Sequence, residues 1–259
     1  MEFIKAQKKF GQNFLKNKEV LQKIASSVEV NENDLIIEIG PGMGALTEYL
    51  SQKNSFLLCY EIDERMKEYL EKYNTTKNKV IYGDFLKRDV LNDAKEISYK
   101  NIYVVANIPY YITSPIIAKL IDLNIKEIVL LVQKEFAERI VADSNHKEYN
   151  AFTLFVDAEY DAKLLFYVGR NNFVPAPKVD SAVIKLTKKE TSGINNKELY
   201  LKFIRDAFQN KRKTLKNNLK EYDWNKVKTI LNSLNYKENV RAEEISKEDF
   251  KTLVNNYEK

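Results

Sequence analysis

The chain has 259 residues, with 42 Lys or Arg and 37 Asp or Glu, so it is too long for a disulfide-stapled miniprotein and too mixed in charge for a polyelectrolyte tail. Its 44% hydrophobic and 12% aromatic residues predict a buried core, organised as one large domain or as a large and a small one. The single cysteine, Cys59, cannot form an internal disulfide, and the single histidine, His146, cannot join a cysteine pair on zinc. We therefore expect neither a metal site nor a Cys–His nucleophile.

The apolar segments are short. The longest lies near residues 125–132 and is interrupted by Lys126 and Glu127, far below the roughly 20 residues that a membrane-spanning helix needs. The first residues show no apolar stretch with a small-residue cleavage site, as a secretory signal would. The sequence thus predicts a cytoplasmic protein that does not cross a membrane.

The positive charge is unevenly distributed along the chain. Residues 185–220 contain eleven Lys or Arg against three acidic residues, a surplus that exceeds the net charge of +5 for the whole chain. A second basic stretch opens the chain with Lys5, Lys8, Lys9, Lys16, Lys18 and Lys23. Clustered cations favour a polyanionic partner, because they release counterions condensed on a phosphate backbone. A solvated lysine-rich surface is the alternative that charge alone leaves open.

Strands and helices alternate in the first half of the chain. Residues 35–39 form a short β-branched run that ends in a glycine-rich turn, and helical spacing follows from residue 45 to residue 50. The same pattern then predicts strands at 56–60, 80–82, 102–106 and 127–132 and helices at 63–73 and 114–123. Strands that recur with helices between them indicate a parallel sheet covered on both faces.

The pattern changes in the second half. Two further strands are predicted at 153–159 and 181–186 without an intervening helix, so we expect an antiparallel edge to the sheet. Residues 187–193 are polar and rich in helix breakers, and the apolar residues beyond them recur at helical spacing. These features predict a first domain at 1–186 and a small all-helical domain at 187–259.

The first candidate site is the glycine-rich turn Gly40-Pro41-Gly42-Met43-Gly44 after the first predicted sheet strand. Glycines let a ligand approach the backbone closely, and the helix that follows presents unpaired N–H groups. The spacing G-x-G-x-G lacks the third glycine of the dinucleotide fingerprint, which disfavours a pyrophosphate as the ligand. The turn predicts a nucleotide-like ligand.

Acidic residues follow the next two predicted strands. Glu61 ends one strand, where a carboxylate can accept both hydroxyls of a ribose, and Asp84 with Phe85 follows the other. A carboxylate beside an aromatic ring suits the exocyclic amine and the face of a purine. Because ligands bind at the carboxyl ends of such sheets, these positions together predict one nucleoside pocket.

The second candidate site is Asn107-Ile108-Pro109-Tyr110, directly after the fourth predicted strand. Pro109 lacks an N–H donor, which leaves backbone carbonyls free to accept, and the Asn107 side chain adds another acceptor. Two acceptors can converge on one amine, and Tyr110 can stack on a flat heterocycle. An ordinary turn with Tyr110 in the core is the alternative.

Taken in this order, the motifs resemble those of class I S-adenosylmethionine-dependent methyltransferases that act on adenine N6, and within them the ribosomal RNA adenine dimethyltransferases. The resemblance extends over nearly the whole chain. Its matching segments lie at residues 9–15, 107–115, 133–135, 173–183 and 208–215. Gly11, the triplet Asp180-Ser181-Ala182 and the run Lys211-Arg212-Lys213-Thr214-Leu215 favour the small-subunit branch (KsgA type) over the Erm branch. Ala176 and Ile108 differ from the residues most common at these positions of the family, but neither difference removes a hydrogen-bond acceptor or an aromatic ring.

The resemblance implies a Rossmann-like methyltransferase sheet with a small C-terminal helical domain, and S-adenosyl-L-methionine as cofactor. It places cofactor contacts at Asn13, Leu15, Gly40, Gly42, Glu61, Ile62, Asp84, Phe85 and Asn107, with Gln12 and Glu38 nearby. It implies that Asn107 and Pro109 position the target amine, that Tyr110 and Phe173 enclose the base, and that RNA binds at Lys211, Arg212, Lys213 and Lys216.

The implied reaction is dimethylation of N6 on two adjacent adenines in the 3′-terminal hairpin of small-subunit rRNA, as part of ribosome biogenesis. The implied partner is this rRNA or the assembling particle, with no metal and no membrane, and we expect a monomer. Three alternatives remain at this point: an Erm-type methyltransferase of large-subunit rRNA that confers macrolide resistance, a non-catalytic RNA-binding assembly factor, and a nicotinamide dehydrogenase.

Overall fold

The computed structural model describes residue 7 and residues 10–258. Lys5, Lys8 and Lys9 of the N-terminal basic stretch, and with Lys9 the first residue of the 9–15 motif, lie outside the described residues. The described chain divides into two compact units. The first contains the residues up to Ala137 together with Lys163–Lys188, and the second contains Glu138–Ala162 together with the residues from Lys189 onwards.

The strands and helices have the following bounds in chain order: β1 Phe14–Leu15, α1 Lys18–Ala25, β2 Asp34–Ile39, α2 Thr47–Leu50, β3 Phe56–Glu61, α3 Lys67–Leu70, β4 Asn78–Tyr82, α4 Val90–Asp93, β5 Asn101–Asn107, α5 Thr113–Asp122, β6 Glu127–Gln133, α6 Lys134–Ile140, α7 Ala151–Asp157, β7 Tyr160–Val168, β8 Phe173–Val174, β9 Ser181–Lys188, α8 Lys197–Ala207, α9 Leu215–Asn218, α10 Trp224–Ser233 and α11 Lys247–Glu258. Short 3-10 helices flank α3 and precede α4, α5, β8 and α11.

The main sheet has seven strands in the order β4-β3-β2-β5-β6-β9-β7. The first five are parallel, and β9 pairs antiparallel with β6. Every residue of β2 is buried, and β5 and β6 are buried except at their ends, as expected for strands covered on both faces. Because β2 lies between β3 and β5, the chain changes direction across the sheet at β2, the position where such sheets bind ligands.

A two-stranded ribbon joins the N-terminal motif to the proline-rich segment. Its strands β1 and β8 pair antiparallel, with Phe14 opposite Val174 and Leu15 opposite Phe173. The Lys16 backbone N–H extends the ribbon by donating to the Asn172 carbonyl at 2.9 Å. Segments about 160 residues apart in the chain are thereby held side by side near the sheet.

One predicted strand is wrong. Residues 151–157 form helix α7, whereas the sequence predicted a strand at 153–159 from its β-branched and aromatic run. The helix is fixed by a capping box, in which the Asn150 side chain accepts from the Phe152 N–H at 2.8 Å and the Asn150 N–H donates to Thr153 Oγ1 at 3.2 Å. The strand comes later, as β7, while the expected antiparallel pairing at the sheet end is confirmed by β9.

The second unit is built from helices around an aromatic core. Tyr149, Tyr200, Phe203 and Phe250 are fully buried in it, and α10 and α11 pack on one another. The chain passes between the units after residues 137, 162 and 188. The last of these lies two residues beyond residue 186, where the first domain was predicted to end, and the other two lie inside that predicted domain. No helix among the described residues is long and apolar enough to span a membrane.

Candidate active site

A cavity of about 1030 Å³ lies at the carboxyl ends of β2, β3, β4 and β5 within the first unit. Its volume is at the upper end of the range for small-molecule sites. It is lined by the N-terminal motif, the glycine turn, the ends of three further strands and the end of β8. The lining residues are 10–16, 38–43, 45–46, 60–62, 83–86, 107–112 and 174–175, with Leu21 and Ile116. The structure therefore gathers the two candidate sites of the sequence in one cavity.

The glycine turn has a backbone that other residues adopt only with strain. Gly40 has φ +70° and Gly42 has φ +58°, and the Gly40 N–H donates to the Tyr60 carbonyl at 2.8 Å, which ties the turn to β3. A Cβ atom added at Gly42 would lie 3.0 Å from the Phe14 ring. The glycines thus leave space beside the main chain at the point where a ligand in the cavity must approach it closely.

Glu61, at the end of β3, is only 3% exposed, and both of its carboxylate oxygens are held by the backbone. Oε2 accepts from the Gly42 N–H at 2.8 Å and Oε1 accepts from the Asp63 N–H at 2.8 Å. Burial raises the pKa of Glu61, and these two hydrogen bonds oppose that effect. Each carboxylate oxygen can accept a second bond, so the group is oriented and can still bind ligand hydroxyls.

A second carboxyl group, Glu38, lies near the end of β2 and lines the same cavity. It is 1% exposed, and its Oε2 lies 3.6 Å from the Cys59 thiol, which donates to it. Burial raises the pKa of Glu38 to about 8. At neutral pH this group is therefore mainly a neutral carboxylic acid that can donate as well as accept a hydrogen bond.

Asp84 and Phe85 follow β4 in a fixed turn. Asp84 Oδ1 accepts from the Leu86 N–H at 3.0 Å, which caps the 3-10 helix at 85–87, and the Phe85 ring packs edge-on against Tyr60 with centroids 5.2 Å apart. The Lys119 ammonium of α5 donates to the carbonyls of Phe85 at 2.8 Å and of Leu86 at 3.1 Å. Sequence reasoning missed Lys119, because an isolated lysine in an amphipathic helix carries no signal of the turn it binds.

Asn107 ends β5 with its side chain oriented by the N-terminal motif. Its Nδ2 donates to the Asn13 carbonyl at 3.3 Å, and the Asn13 side chain donates to the Gly11 carbonyl at 3.2 Å. Since the amide nitrogen is bound to a carbonyl, the side-chain oxygen of Asn107 is left as an acceptor. Pro109 follows with ψ 133°, in an extended conformation without an N–H.

Tyr110 lies at the entry to the 3-10 helix before α5, and its ring lines the cavity. Its hydroxyl lies 2.6 Å from Ser181 Oγ, and Ser181 is fully buried at the start of β9. The ring is therefore anchored at its far end. The predicted partner of Tyr110 in the sequence, Phe173, is not brought to the cavity: it is 2% exposed in the core, and Val174 and Pro175 line the cavity in its place.

The other predicted site residues divide between the two units. Leu15 is 3% exposed and Ile62 is 44% exposed, and both line the cavity. The four predicted RNA-binding residues lie in the second unit, all exposed, in the turn after α8 and at α9 (Lys211, Arg212, Lys213 and Lys216). Among the residues that the structure describes, no group of three or more Asp, Glu, His or Cys is arranged to hold a metal ion.

Comparison with known proteins gives a match over nearly the whole chain. The family model described as ribosomal RNA adenine dimethylase matches residues 3–259. The chain is 44% identical over 254 residues to the ribosomal RNA small subunit methyltransferase A of Mycoplasmopsis pulmonis, covering 96% of this chain and 98% of that protein. It is 41% identical over 262 residues to the protein of the same name from Streptococcus thermophilus, covering 95% and 90% of the two chains.

Solved structures with the same architecture include a dimethyladenosine transferase and an rRNA methyltransferase. A dimethyladenosine transferase from Plasmodium falciparum superposes with a TM-score of 0.77 at 30% identity, over 93% of this chain and 95% of that chain. The 23S rRNA methyltransferase ErmE superposes with a TM-score of 0.77 at 23% identity, over 95% of this chain and 100% of that chain, which shows a shared fold. The Rossmann-like methyltransferase fold expected from the sequence is confirmed.

Proposed function

Because the chain belongs to the ribosomal RNA adenine dimethylase family, we propose that it dimethylates N6 of two adjacent adenines in the 3′-terminal hairpin loop of small-subunit rRNA. The family expected from the sequence motifs is confirmed, and S-adenosyl-L-methionine is the methyl donor of this class. The names of the relatives favour the small-subunit substrate over the large-subunit substrate of the Erm branch. In this proposal the protein acts in the cytoplasm as a monomer, on the rRNA of the assembling small subunit.

The observation that carries the proposal is the setting of Asn107. Its side-chain oxygen is an acceptor because its nitrogen is bound to Asn13, and it lies in the same cavity as the anchored ring of Tyr110. A planar base stacked on Tyr110 can therefore offer an exocyclic amine to Asn107 while the rest of the cavity holds a second nucleoside.

The remaining residues of the cavity fit the cofactor. Glu61 is fixed by two backbone N–H groups for the ribose hydroxyls, and Asp84 with Phe85 suits the adenine. The positive φ values of Gly40 and Gly42 leave the main chain open to the ligand. When bound, S-adenosyl-L-methionine supplies an electrophilic methyl group on a cationic sulfur.

The protein's own task is to prepare the target nitrogen. The lone pair of an adenine N6 is delocalised into the ring, so the amine is a poor nucleophile in its planar form. In the first transfer, Asn107 Oδ1 and a backbone carbonyl of the Ile108–Pro109 segment accept hydrogen bonds from the two N–H groups and favour a tetrahedral nitrogen whose lone pair is no longer delocalised into the ring. The methylated nitrogen then loses a proton to solvent, and in the second transfer its one remaining N–H keeps one of these hydrogen bonds. Rate enhancement then comes from positioning and fixed dipoles, with no acid or base required. The target base must be unpaired or extruded to enter the cavity, which suits a hairpin loop.

The test is Asn107→Ala. We expect cofactor binding, measured by calorimetry, to change only a few-fold, while methyl transfer to unmethylated small-subunit particles falls on the order of 100-fold or more, as for loss of a fixed transition-state dipole. Asn92→Ala, at an exposed position of α4, is the matched control and should keep full activity. Retained turnover in Asn107→Ala would remove the assigned role.

Mapping the modified positions by primer extension separates the alternatives. Methylation of two adjacent adenines in small-subunit rRNA supports the proposal, whereas modification of large-subunit rRNA would favour the Erm alternative. Binding to the particle without any methyl transfer by the wild-type protein would favour the non-catalytic assembly factor.

A further inference from the structure

An exposed aromatic ring lies on the first unit outside the cavity. Tyr167, near the end of β7, is 56% exposed, and the Lys134 ammonium lies 5.3 Å from the centre of its ring. Strand β7 is the last strand of the sheet, and its residues alternate between more and less exposed positions, with Leu165 and Tyr167 on the exposed side. Water-exposed aromatic rings beside cations are a common feature of surfaces that bind single-stranded nucleic acid.

Two more cationic residues, Arg170 and Lys178, follow Tyr167 in the sequence and are hydrogen-bonded to one another. Arg170 follows β7 by two residues, and its guanidinium donates to the Lys178 carbonyl at 3.3 Å. The side chains of Lys134, Arg170 and Lys178 are all exposed. We call Lys134, Tyr167, Arg170 and Lys178 the Tyr167 surface. The acidic residues next to them in the chain are Glu135 and Asp180, against three cations.

Hydrogen bonds connect the Tyr167 surface to the base-binding end of the cavity. The backbone N–H of Lys134 donates to the Asp180 carbonyl at 3.0 Å, and the backbone N–H of Arg170 donates to Asp180 Oδ1 at 3.0 Å. The next residue, Ser181, holds the Tyr110 hydroxyl. Asp180, which accepts from both Lys134 and Arg170, is therefore the chain neighbour of Ser181, which anchors the Tyr110 ring. We assign that ring to stacking on the target base.

The Tyr167 surface is also connected to the cavity through the main chain. The 3-10 turn Arg170–Asn172 passes directly into β8, and Val174 and Pro175 then line the cavity. Val174 is 46% exposed, so it adds an apolar side chain to the surface between the cavity and the cations. The nucleotides on either side of a target base held in the cavity lie only one backbone step from it, so they contact the protein surface next to the cavity.

We propose that the Tyr167 surface binds the single-stranded RNA next to the target adenine, with a flanking base stacked on Tyr167 and phosphates contacted by Lys134, Arg170 and Lys178. The proposal rests on the proposed function, because it extends the same RNA-binding site. It assigns part of the RNA contact to the first unit, apart from the basic turn of the second. A protein partner is disfavoured, because a cation, Lys134, lies over the ring and two more, Arg170 and Lys178, are exposed on the segment that follows it.

The test measures binding of a fluorescent single-stranded oligoribonucleotide and, separately, methyl transfer to unmethylated particles. We expect Tyr167→Ala to weaken oligonucleotide binding about tenfold, as for loss of one stacked base, and Tyr167→Phe to restore it because the ring is kept. The double variant Arg170→Ala/Lys178→Ala should flatten the dependence of log K on log salt by about 1.4, the value for two lost phosphate contacts on a single strand. In particle methylation both changes should raise KM more than they lower kcat.

The control is Lys77→Ala/Lys79→Ala, which removes two exposed cations at β4, on the opposite edge of the sheet. It should leave the affinity and the salt slope unchanged. An unchanged affinity in Tyr167→Ala together with an unchanged slope in the double variant would overturn the proposal, provided that circular dichroism shows both variants folded. Because oligonucleotide binding needs no turnover, the outcome stays separate from that of the proposed function, which fails if the wild-type protein transfers no methyl group.

Discussion

Tyr110 and Ser181 lie 71 residues apart in the chain and are joined by a hydrogen bond of 2.6 Å between their hydroxyls. Ser181 is fully buried where β9 begins beside the end of β6, so the bond ties the ring in the cavity to the main sheet. Burial raises the pKa of Tyr110, which keeps its hydroxyl protonated. The ring is thus presented in one orientation instead of turning with the loop that carries it.

Removing this anchor should reduce methyl transfer without abolishing it. Ser181→Ala and Tyr110→Phe each break the bond and keep the ring, and each leaves at most one buried hydroxyl without its partner, a loss of about 1–2 kcal/mol. We expect a several-fold increase in KM for the RNA and little change in cofactor affinity for both. Tyr110→Ala removes the ring and should lower kcat/KM far more.

A double-mutant cycle checks whether the two hydroxyls act as one unit. If they do, Ser181→Ala combined with Tyr110→Phe is no worse than either change alone. Ser181→Thr retains a hydroxyl and should recover part of the activity. Additive losses in kcat/KM would show that the two residues act independently and that the bond does not orient the ring.

A second prediction concerns Lys119, which binds the turn that follows β4. Its ammonium donates to carbonyls on both Phe85 and Leu86, and it lies 5.1 Å from the centre of the Phe85 ring. Lys119→Met keeps the length of the side chain and removes its donors, so the turn that presents Asp84 should loosen. We expect cofactor affinity to fall roughly tenfold, the loss of about 1.4 kcal/mol for hydrogen bonds from a charged group.

The split between kinetic constants distinguishes positioning from general destabilisation. At saturating cofactor the kcat of Lys119→Met should be close to that of the wild type, because the residues around the target amine are untouched. Lys95→Met, at an exposed position beyond α4, is the control and should change neither constant. A fall in kcat with unchanged cofactor affinity would contradict the role assigned to Lys119.

Much of the active site follows from the sequence because it is local. Gly40, Glu61, Asp84 and Asn107 each lie at or just beyond the end of a predicted strand, and parallel strands bring their carboxyl ends to one edge. The pairing of residues distant in sequence does not follow in this way. Nothing near Lys119 or Ser181 in the chain indicates which turn or ring it meets.

Two expectations differ from the structure for a common physical reason. The run Phe-Thr-Leu-Phe-Val at residues 152–156 suits a strand by composition, but the capping box at Asn150 and packing in the helical unit make it α7. Phe173 was assigned to the cavity from its place in a motif, whereas the pairing of β8 with β1 turns it into the core and exposes Val174. In both cases tertiary packing decides between two local possibilities.

A third prediction follows from the raised pKa of Glu38. The folded protein holds this proton up to about pH 8, whereas the unfolded chain releases it near the ordinary value of 4.5. Between these values the folded state binds more protons than the unfolded state, so this group's stabilising contribution is complete below pH 4.5 and declines as the pH rises towards 8. Glu38→Gln, a neutral analogue, should flatten that decline.

Urea unfolding of both proteins at pH 5.5 and pH 8.5 provides the measurement. The free energy of unfolding of the wild type should fall more between the two values than that of Glu38→Gln. Contributions from groups that do not interact with Glu38 are present in both proteins and cancel in the comparison. Glu48→Gln, at an exposed position of α2, should behave like the wild type. Equal pH dependence in Glu38→Gln and the wild type would show that the carboxyl group is ionised in the folded state.

The last prediction concerns the basic turn after α8. Lys211, Arg212 and Lys213 are exposed consecutive residues, and the Lys211 ammonium donates to the Lys147 carbonyl at 2.7 Å within the same unit. Reversing all three to Glu replaces attraction to phosphates by repulsion. We expect RNA affinity to fall at least tenfold at moderate salt and the salt slope of log K to decrease by about 2, since each lost phosphate contact on structured or single-stranded RNA contributes roughly 0.7–0.9.

The matched control for this change is a reversal of other exposed lysines of the helical unit. Lys220 and Lys237 lie outside the turn, and Lys220→Glu/Lys237→Glu should have the smaller effect on the salt slope. Cofactor binding should be the same in all variants, because the cavity is formed by residues of the first unit. If the triple reversal leaves the salt slope unchanged, the turn is a solvated surface that does not contact RNA. The RNA contacts then lie elsewhere on the protein, and the Tyr167 surface is the first place to test.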